Sequence, residues 1–357
     1  MPESLDISAE ETECGPEASG PAIDARGLAR RFGEDVTAVD GVDLIVQPGE
    51  VFGLVGPDGA GKSTLIRMLA TVLAPSEGEA LVFGCSVTQA PKRVTPRIGY
   101  MSQTFSLYGD LTVRENLEFF AELRGVHRRE IDARSFRLLE FGNLLEFQHR
   151  QAQYLSGGMK QKLALAVTLI HEPDLLLLDE PTTGVDPVAR REFWRIIAGL
   201  RRQGITVFVA TPYMDEAERC TTVAFMDRGR ITLMDNPVGL KARLPGTLYE
   251  VVVEEQRAAL RVLEKITGVA SATIFGETLR ILTEPDGPDE RTLADSLRRA
   301  GLEPGDIQPT PVDMEATFAY LAEVDRPRDE EDASGQSEPA ARDAIGEASL
   351  DEDGDDR

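Results

Sequence analysis

The sequence predicts an α/β fold built on a parallel sheet. An apolar run at 51–55 leads into a glycine-rich turn and then into a helix-like run at 65–69. A second apolar run, 175–178, ends in two carboxylates, and a third stretch, 155–161, contains Ser-Gly-Gly and precedes an apolar helix at 163–170. Strands buried on both faces of a sheet read as continuous apolar runs, and ligands bind beyond their carboxyl ends.

The glycine-rich turn fits the phosphate-binding loop pattern G-x-x-x-x-G-K-[ST]. Such a loop points backbone N–H groups at a polyphosphate, and the following helix adds its positive end. We expect Lys62 to reach the β- and γ-phosphates and Ser63 to ligate magnesium. The alternative is a turn without a ligand, which the full motif between a strand and a helix disfavours. The predicted loop residues are Gly56, Pro57, Asp58, Gly59, Ala60, Gly61, Lys62, Ser63 and Thr64.

The charge and the hydrophobic content of the chain restrict the kinds of partner that it can have. The 357 residues carry a formal charge of −24, and much of it lies at the two ends, which are poor in large apolar residues. We therefore predict disordered acidic tails at 1–21 and 323–357. The remaining body is only mildly acidic, so nucleic acid is not an expected partner. No apolar run approaches the roughly 20 residues of a membrane span, and any action at a membrane would need a partner.

The segment before the phosphate loop predicts two strands, 22–29 and 42–46, joined by a polar turn region at 32–41. Phe32 in that region either stacks on an adenine ring or packs in a small sheet core, and spacing does not decide between these roles. A short strand at 98–101 leads to Gln103, which either reaches a bound metal and the attacking water or is merely solvated. Helical periodicity follows at 111–123 and 130–147.

The second constellation joins 155–161 to the run that ends at Asp179 and Glu180. Ser156 and the two glycines after it put a hydroxyl and free N–H groups at a helix start, which suits an anion. A plain helix cap is the competing interpretation. Asp179 suits magnesium binding through water, and Glu180 suits polarising the water that attacks a γ-phosphate.

Taken together these motifs resemble the ATP-binding cassette family over residues 22–240. The resemblance implies a P-loop NTPase cassette with a RecA-like core, an antiparallel β subdomain and a helical subdomain at about 104–165. It implies ATP and Mg²⁺ as ligands, the latter held by Ser63, Gln103 and Asp179, with Glu180, Gln103 and Lys62 as catalytic residues. It also implies a head-to-tail dimer of two cassettes, in which Ser156, Gly157, Gly158 and Asp186 complete the nucleotide site.

One position departs from the family pattern. After the predicted strand at 205–210, the family usually places a histidine that contacts the γ-phosphate, whereas this chain has Pro212. A proline offers neither a side-chain hydrogen bond nor a backbone N–H. The rate of hydrolysis is therefore in question, while nucleotide binding is not.

Residues 241–322 predict a separate α+β unit of ferredoxin-like type. Its pattern gives strands at 248–253, 269–275, 279–282 and 306–308, with helices at 257–266 and 291–300, a βαββαβ order. A structural role in capping or dimerising the cassette is expected, with a regulatory ligand site as the alternative. The closing stretch 312–321 resembles the terminal helix of drug-exporting cassettes.

Whole segments, 99–116 and 213–220, resemble the ATPase subunits of bacterial multidrug exporters whose membrane domains are separate chains. The resemblance implies a peripheral protein at the cytoplasmic face of the bacterial inner membrane, with integral membrane permease subunits and a second, identical cassette as partners. It would energise efflux of a drug or other hydrophobic or lipidic compound by ATP-driven dimerisation. The alternative is an ATP-gated protein of low turnover that acts as a regulatory or self-resistance module.

Overall fold

The structure is a computed structural model, and it describes residues 20–33, 35–104 and 107–324. Most of the predicted acidic N-terminal tail and residues 325–357 of the predicted C-terminal tail lie outside the described residues. The strands are β1 (Ile23–Phe32), β2 (Val36–Val46), β3 (Val51–Val55), β4 (Glu77–Val82), β5 (Cys85–Ser86), β6 (Ile98–Met101), β7 (Leu175–Asp179), β8 (Thr206–Thr211), β9 (Thr222–Asp227), β10 (Arg230–Asp235), β11 (Leu248–Val252), β12 (Val269–Phe275), β13 (Thr278–Thr283) and β14 (Gln308–Pro309). The α-helices are α1 (Lys62–Leu69), α2 (Pro91–Val94), α3 (Val113–Leu123), α4 (Arg128–Phe141), α5 (Gly157–Leu169), α6 (Pro187–Arg202), α7 (Met214–Ala217), α8 (Pro237–Lys241), α9 (Gln256–Leu263), α10 (Glu290–Arg299) and α11 (Met314–Val324).

The central sheet has six strands in the order β10-β9-β3-β8-β7-β6, parallel except for β10 at one edge. Every residue of β3, β7 and β8 is buried. Phe52 and Phe208 stack across neighbouring strands with ring centroids 5.1 Å apart. The prediction of a buried parallel sheet is confirmed, and its strand ends place the phosphate loop and Asp179 at one carboxyl edge.

A second sheet, antiparallel and ordered β2-β1-β4-β5, covers the first part of the chain. The predicted turn region at 32–41 is wrong, because the two strands extend much further towards each other. Phe32 pairs with Val36 at the end of the hairpin. An antiparallel sheet with one wet face alternates buried and exposed side chains. At the end of the hairpin this alternation is lost: residues 35–37 are all exposed, so the sequence there reads as a polar turn.

The helical subdomain packs α3, α4 and α5 around a shared apolar cluster. Helix α3 begins with a capping box, in which Thr112 and Glu115 bond each other's backbone N–H groups. The predicted helix at 130–147 is too long, since α4 ends at Phe141 and Asn143 takes a left-handed backbone with φ +55°. Apolar spacing continued past this break because a 3₁₀ turn, Leu145–Phe147, still packs on the same cluster.

The C-terminal unit has the predicted βαββαβ order, with a wholly antiparallel sheet ordered β12-β13-β11-β14 and helices α9 and α10 on its apolar core. The final helix, α11, does not join that core. Met314, Phe318 and Leu321 pack instead on the apolar cluster of the central sheet, and Phe318 stacks on Phe225 with centroids 4.8 Å apart. The chain therefore returns to the cassette after the small unit.

Candidate functional site

The phosphate loop follows β3 at the carboxyl edge of the central sheet. Gly61 is the N-cap of α1 with φ 104°, and a Cβ there would lie 2.1 Å from the carbonyl oxygen of Ala38. Only glycine fits both the left-handed backbone and this close approach to β2. Helix α1 has no side-chain cap and no acidic residue in its first turn. Its N–H groups and dipole are therefore available to an anion.

Lys62 is the cation of this loop and is only 4% exposed. Its ammonium donates to the carbonyl oxygens of Gly56 at 2.7 Å and Pro57 at 2.8 Å. Burial lowers the pKa of Lys62, and the nearby Glu180 carboxylate opposes that effect. The loop thus holds a partly desolvated positive charge beside the helix start, which suits a polyphosphate.

Ser63 and Asp179 form the part of the site that can hold magnesium. The Ser63 hydroxyl donates to Asp179 Oδ1 at 2.8 Å. Asp179 is fully buried, and its Oδ2 has no hydrogen-bond partner among the described residues. Burial raises the pKa of Asp179, and the Ser63 hydrogen bond opposes this. Mg²⁺ prefers oxygen ligands such as a hydroxyl and a carboxylate. Because Asp179 Oδ2 has no hydrogen-bond partner, its lone pairs are available to a cation, and these two side chains therefore fit Mg²⁺.

The described residues hold no group of three His, Cys, Asp or Glu side chains placed to bind a metal.

Glu180 and Gln103 meet at the same edge. Gln103 Nε2 donates to Glu180 Oε2 at 2.9 Å, and the hydroxyl of Thr183 donates to the same oxygen at 3.1 Å. Glu180 has φ +48°, a left-handed conformation that costs a non-glycine residue about 1 kcal/mol or more. A hydrogen bond from the backbone N–H of Glu180 to the carbonyl oxygen of Ala210, at 2.9 Å, offsets part of this conformational strain. The carboxylate is thereby held in one place beside Asp179.

A buried carboxylate, which the sequence did not reveal, lies behind Glu180. Glu216 is 0% exposed and accepts hydrogen bonds from the hydroxyls of Thr182 and Thr211. Arg190 Nε lies 3.8 Å from Glu216 Oε1, and its guanidinium carbon is 3.9 Å from the centre of the Tyr213 ring. Glu216 therefore ties the loop after Glu180 to the end of β8, where Pro212 stands. A glutamate in a mostly polar helical stretch gave no signal of burial.

Phe32 is 43% exposed, so it does not belong to the core of the antiparallel sheet. Its ring carries the Arg30 guanidinium at 4.8 Å. Phe32 pairs with Val36, two residues before Ala38, whose carbonyl abuts Gly61. The exposed ring thus stands on the hairpin that contacts the phosphate loop.

The segment 155–161, predicted to complete a nucleotide site, forms the start of α5. The exposed Ser156 accepts from Met159 N at 3.4 Å and so caps its own helix. A Cβ on Gly158 would lie 2.5 Å from Ala189 Cβ, so this glycine lets α5 approach α6. Asp186 caps α6 by accepting from Val188 N and Ala189 N, and these bonds lower its pKa. Ser156 and Asp186 therefore lie on neighbouring helix starts, both exposed.

Two exposed aromatic side chains, Tyr108 and Phe119, lie in the part of the chain that follows Gln103. Asn116 is fully buried and fixes the loop before α3: it accepts from Tyr108 N at 2.9 Å and donates to three backbone carbonyls, those of Tyr108, Leu111 and Thr112. Tyr108 is 49% exposed and packs edge-on against Phe119, with ring centroids 4.7 Å apart. We call Tyr108 and Phe119 the aromatic surface.

The fold and this edge define a nucleotide-binding cassette, in which the phosphate loop, the Ser63–Asp179 pair and Glu180 meet at one edge of the central sheet. The sequence profile described as "ABC transporter" matches residues 39–183. Among solved structures, cbiO1 from Clostridium perfringens, part of an ABC transporter complex, is 27% identical with a TM-score of 0.57, covering 63% of this chain and 92% of that chain. A dimeric ATP-binding cassette bound to ADP and Pi is 25% identical with a TM-score of 0.55, covering 60% of this chain and 98% of that chain.

Curated relatives agree with this class. The daunorubicin resistance ATP-binding protein DrrA3 of Streptomyces coeruleorubidus is 37% identical over 311 residues, 85% of this chain and 97% of that protein. The probable multidrug ABC transporter ATP-binding protein YbhF of Escherichia coli strain K12 is 42% identical over 279 residues, 77% of this chain. The chain spans about half of YbhF, 48% of its length. This chain belongs to the ABC transporter family, as one of its ATP-binding proteins.

Proposed function

We propose that this chain is the ATP-binding and ATP-hydrolysing subunit of a bacterial ABC exporter. In this proposal it energises efflux of a drug or other hydrophobic or lipidic compound through separate integral membrane permease subunits. Two relatives are named as a multidrug transporter protein and a daunorubicin resistance protein, and these names support export of such compounds. The observation that carries the proposal is the cluster of Lys62, Ser63, Asp179 and Glu180 at one sheet edge.

The chain's own groups have separate tasks in hydrolysis. The loop N–H groups and Lys62 bind the phosphates, and Ser63, Gln103 and Asp179 would hold Mg²⁺, which would neutralise developing charge on the phosphate oxygens. Glu180 orients the attacking water and accepts its proton. Gln103 and Thr183 hold the Glu180 carboxylate in place. Phe32 is proposed to stack on the adenine, because its exposed ring stands beside the loop.

Two copies of the chain are proposed to enclose the nucleotides head to tail. Ser156, Gly157, Gly158 and Asp186 of one copy would complete the site of the other. The exposure of Ser156 and Gly157 supports this, as does the dimeric cassette with ADP and Pi among the similar structures. Binding of ATP would draw the copies together, and hydrolysis would release them.

A membrane partner is proposed to dock on the aromatic surface. Tyr108 and Phe119 expose apolar rings, and both follow Gln103 in sequence, so the surface that they form is connected along the chain to the nucleotide edge. No helix in the described part of the chain combines the length and apolarity that a bilayer crossing requires. We propose a peripheral position at the cytoplasmic face of the bacterial inner membrane, because the relatives are named as ATP-binding proteins of transporters or of drug resistance.

The small C-terminal unit is proposed to be a ferredoxin-like domain with a structural role. Its βαββαβ order supports this, as does an antiparallel sheet in which its first and third strands are central.

The test of the proposal is Lys62→Ala. Removing a charge-assisted contact to phosphate is expected to weaken ATP binding about 10- to 100-fold. Calorimetry measures the affinity, and sedimentation measures ATP-dependent dimer formation, which is expected to be lost. Lys265→Ala, an exposed lysine of the C-terminal unit, is the matched control. Unchanged affinity and self-association in Lys62→Ala would overturn the proposal.

A further inference from the structure

Four arginines line one cavity on the side of the central sheet opposite the nucleotide. The cavity has a volume of about 400 Å³. Arg195, Arg201 and Arg202 reach it from α6, and Arg219 reaches it from the turn that follows α7. Its wall includes Gly49 in the turn before the amino end of β3. We call it the arginine cavity.

The charge of the arginine cavity is uncompensated. No Asp or Glu lines it, and none of its four guanidinium groups forms a salt bridge or hydrogen bond with a side chain in the described part of the molecule. The cavity between α4 and the amino end of β7 is different. There Arg97 pairs with Asp174 at 2.8 Å, and Arg137 pairs with Glu172 at 2.9 Å. The arginine cavity therefore differs from this second cavity, whose arginines are paired with acidic side chains.

A buried donor belongs to the same cavity. Trp194 lines it, is 4% exposed, and its indole Nε1 has no hydrogen-bond partner among the described residues. A buried N–H without an acceptor is costly, so such groups in folded proteins usually have one. The cavity thus offers guanidinium donors beside a residue whose buried indole N–H has no acceptor, and no side-chain carboxylate lines it. Its chemistry selects an anion.

We propose that the arginine cavity binds the acidic C-terminal segment of this same chain, residues 325–357, through its carboxylates. The segment carries thirteen acidic and four basic residues. Four consecutive acids stand at 329–332, and five more lie within 351–356. Opposite charge and repeated carboxylates match a cluster of planar guanidinium forks.

The last described helix, α11, packs on elements that border the cavity. The described chain ends at Val324, the last residue of α11, and α11 packs against α7, which ends two residues before Arg219. Phe318 and Leu321 of α11 share an apolar cluster with Trp194.

The length of the segment is also sufficient. A random-coil chain of 33 residues, the length of this segment, spans about 30 Å on average. Helix α6, with 16 residues, is about 24 Å long. The segment's span thus exceeds the length of the helix that carries three of the four arginines, and tethering would supply an effective concentration of about 1 mM or more.

The experiment uses the only tryptophan of the chain as its reporter. Trp194 is unique, so indole ¹⁵N labelling of the full chain gives a single Nε1–H resonance. The test variant is Arg201→Gln with Arg202→Gln, at the end of α6. The matched control is Arg298→Gln with Arg299→Gln, an exposed arginine pair at the end of α10. A third variant replaces the acids of 329–332 and 351–356 by their amides.

Docking predicts that the indole signal of the full chain differs from that of the amide variant, and that 0.5 M NaCl removes the difference. Arg201→Gln with Arg202→Gln is expected to shift the signal towards that of the amide variant. The same change is expected to speed tryptic cleavage at Arg342 about 3- to 10-fold, as several exposed ion pairs are lost. The control pair is expected to change neither readout.

Three results would overturn the proposal. An indole signal identical in the full chain and the amide variant at low salt would exclude docking. A difference that grows with protein concentration would assign the site to the segment of a second copy. A signal that responds only to phosphatidylglycerol vesicles, and equally in the amide variant, would assign the arginine cavity to an anionic membrane surface. Circular dichroism of each variant verifies that the fold is kept.

Discussion

The two edges of the central sheet carry charge in opposite ways. At the carboxyl edge, Lys62 and Asp179 are buried and their charges are partly desolvated. At the amino edge, the four arginines of the arginine cavity are exposed and have no described partner. The charged groups of the carboxyl edge are buried in fixed positions, whereas the arginines of the amino edge would attract an anion across solvent. Substitutions at the first edge should therefore have large effects that resist salt, and those at the second should have small effects that salt removes.

The largest effect is expected for Glu180→Gln at the carboxyl edge. The amide keeps the size of the side chain and can still contact Gln103 or Thr183, but it cannot accept a proton from water. Turnover of ATP should fall about 10²- to 10⁴-fold with ATP affinity kept. Phosphate release measured beside nucleotide binding checks this, with the exposed Glu264→Gln as control. Loss of binding together with turnover would show that Glu180 supports the loop rather than the chemistry.

A smaller and opposite effect is expected for Pro212→His. The position follows the last residue of β8 at the carboxyl edge. A histidine would add a donor towards the γ-phosphate, and one hydrogen bond of about 1.4 kcal/mol corresponds to about a tenfold rise in turnover. Pro212→Ala is the matched control, because it restores the backbone N–H without an imidazole. Equal turnover in the two variants would mean that backbone freedom, and not the side chain, limits the rate.

The sequence predicted the carboxyl edge better than its surroundings, for a physical reason. Phosphate binding needs a contiguous loop, so Gly56–Thr64 carries its whole signal in nine consecutive residues. Glu180 follows a strand whose apolar run is equally local. Glu216 and Asn116 gave no signal, because their burial depends on hydroxyls and carbonyls contributed by other segments.

The same limit applies to elements of the fold. The hairpin of β1 and β2 was predicted too short, since its exposed end reads as a loop in sequence. The helix α11 follows the C-terminal unit in sequence but packs on the cassette. Which core a helix joins is decided by contacts at long range. The arginine cavity likewise gathers residues from α6 and from the turn after α7, so its charge is invisible along the chain.

A stability effect of about 1 kcal/mol is expected for Asp179→Asn without nucleotide. Burial raises the pKa of Asp179 above its ordinary 3.8, so the folded state binds this proton more tightly than the unfolded chain. The folded state therefore loses stability as pH rises through that raised pKa. An amide removes the cost of burying an ionised carboxylate, and the unpaired NH₂ group in place of Oδ2 limits the net gain. Asp179→Asn should be more stable than the parent chain at pH 7, and the gain should vanish below pH 3.8.

Urea unfolding as a function of pH measures this gain. Asp174→Asn is the matched control: it is exposed, stands just before the amino end of β7, and pairs with Arg97 at 2.8 Å. That change should cost at most about 1 kcal/mol at pH 7. A destabilised Asp179→Asn would contradict the idea that the carboxyl edge holds its charge at a cost.

The smallest effect is expected at the amino edge, for Arg195→Gln. Glutamine has nearly the helix propensity of arginine, so the change removes charge and little else. In the variant whose acidic runs are amides, loss of one of four like charges should raise stability by at most about 0.5 kcal/mol at low salt. In the full chain the same substitution also removes an attraction to the C-terminal segment and should lower stability. The coupling between the two changes, measured by urea unfolding at low and high salt, isolates the contact of segment and cavity. The two edges differ in whether their charged groups are buried or exposed to salt. A coupling free energy that persists in 0.5 M NaCl would mean that the arginines take part in a buried interaction like that of Asp179. The two edges would then not differ in how they carry charge.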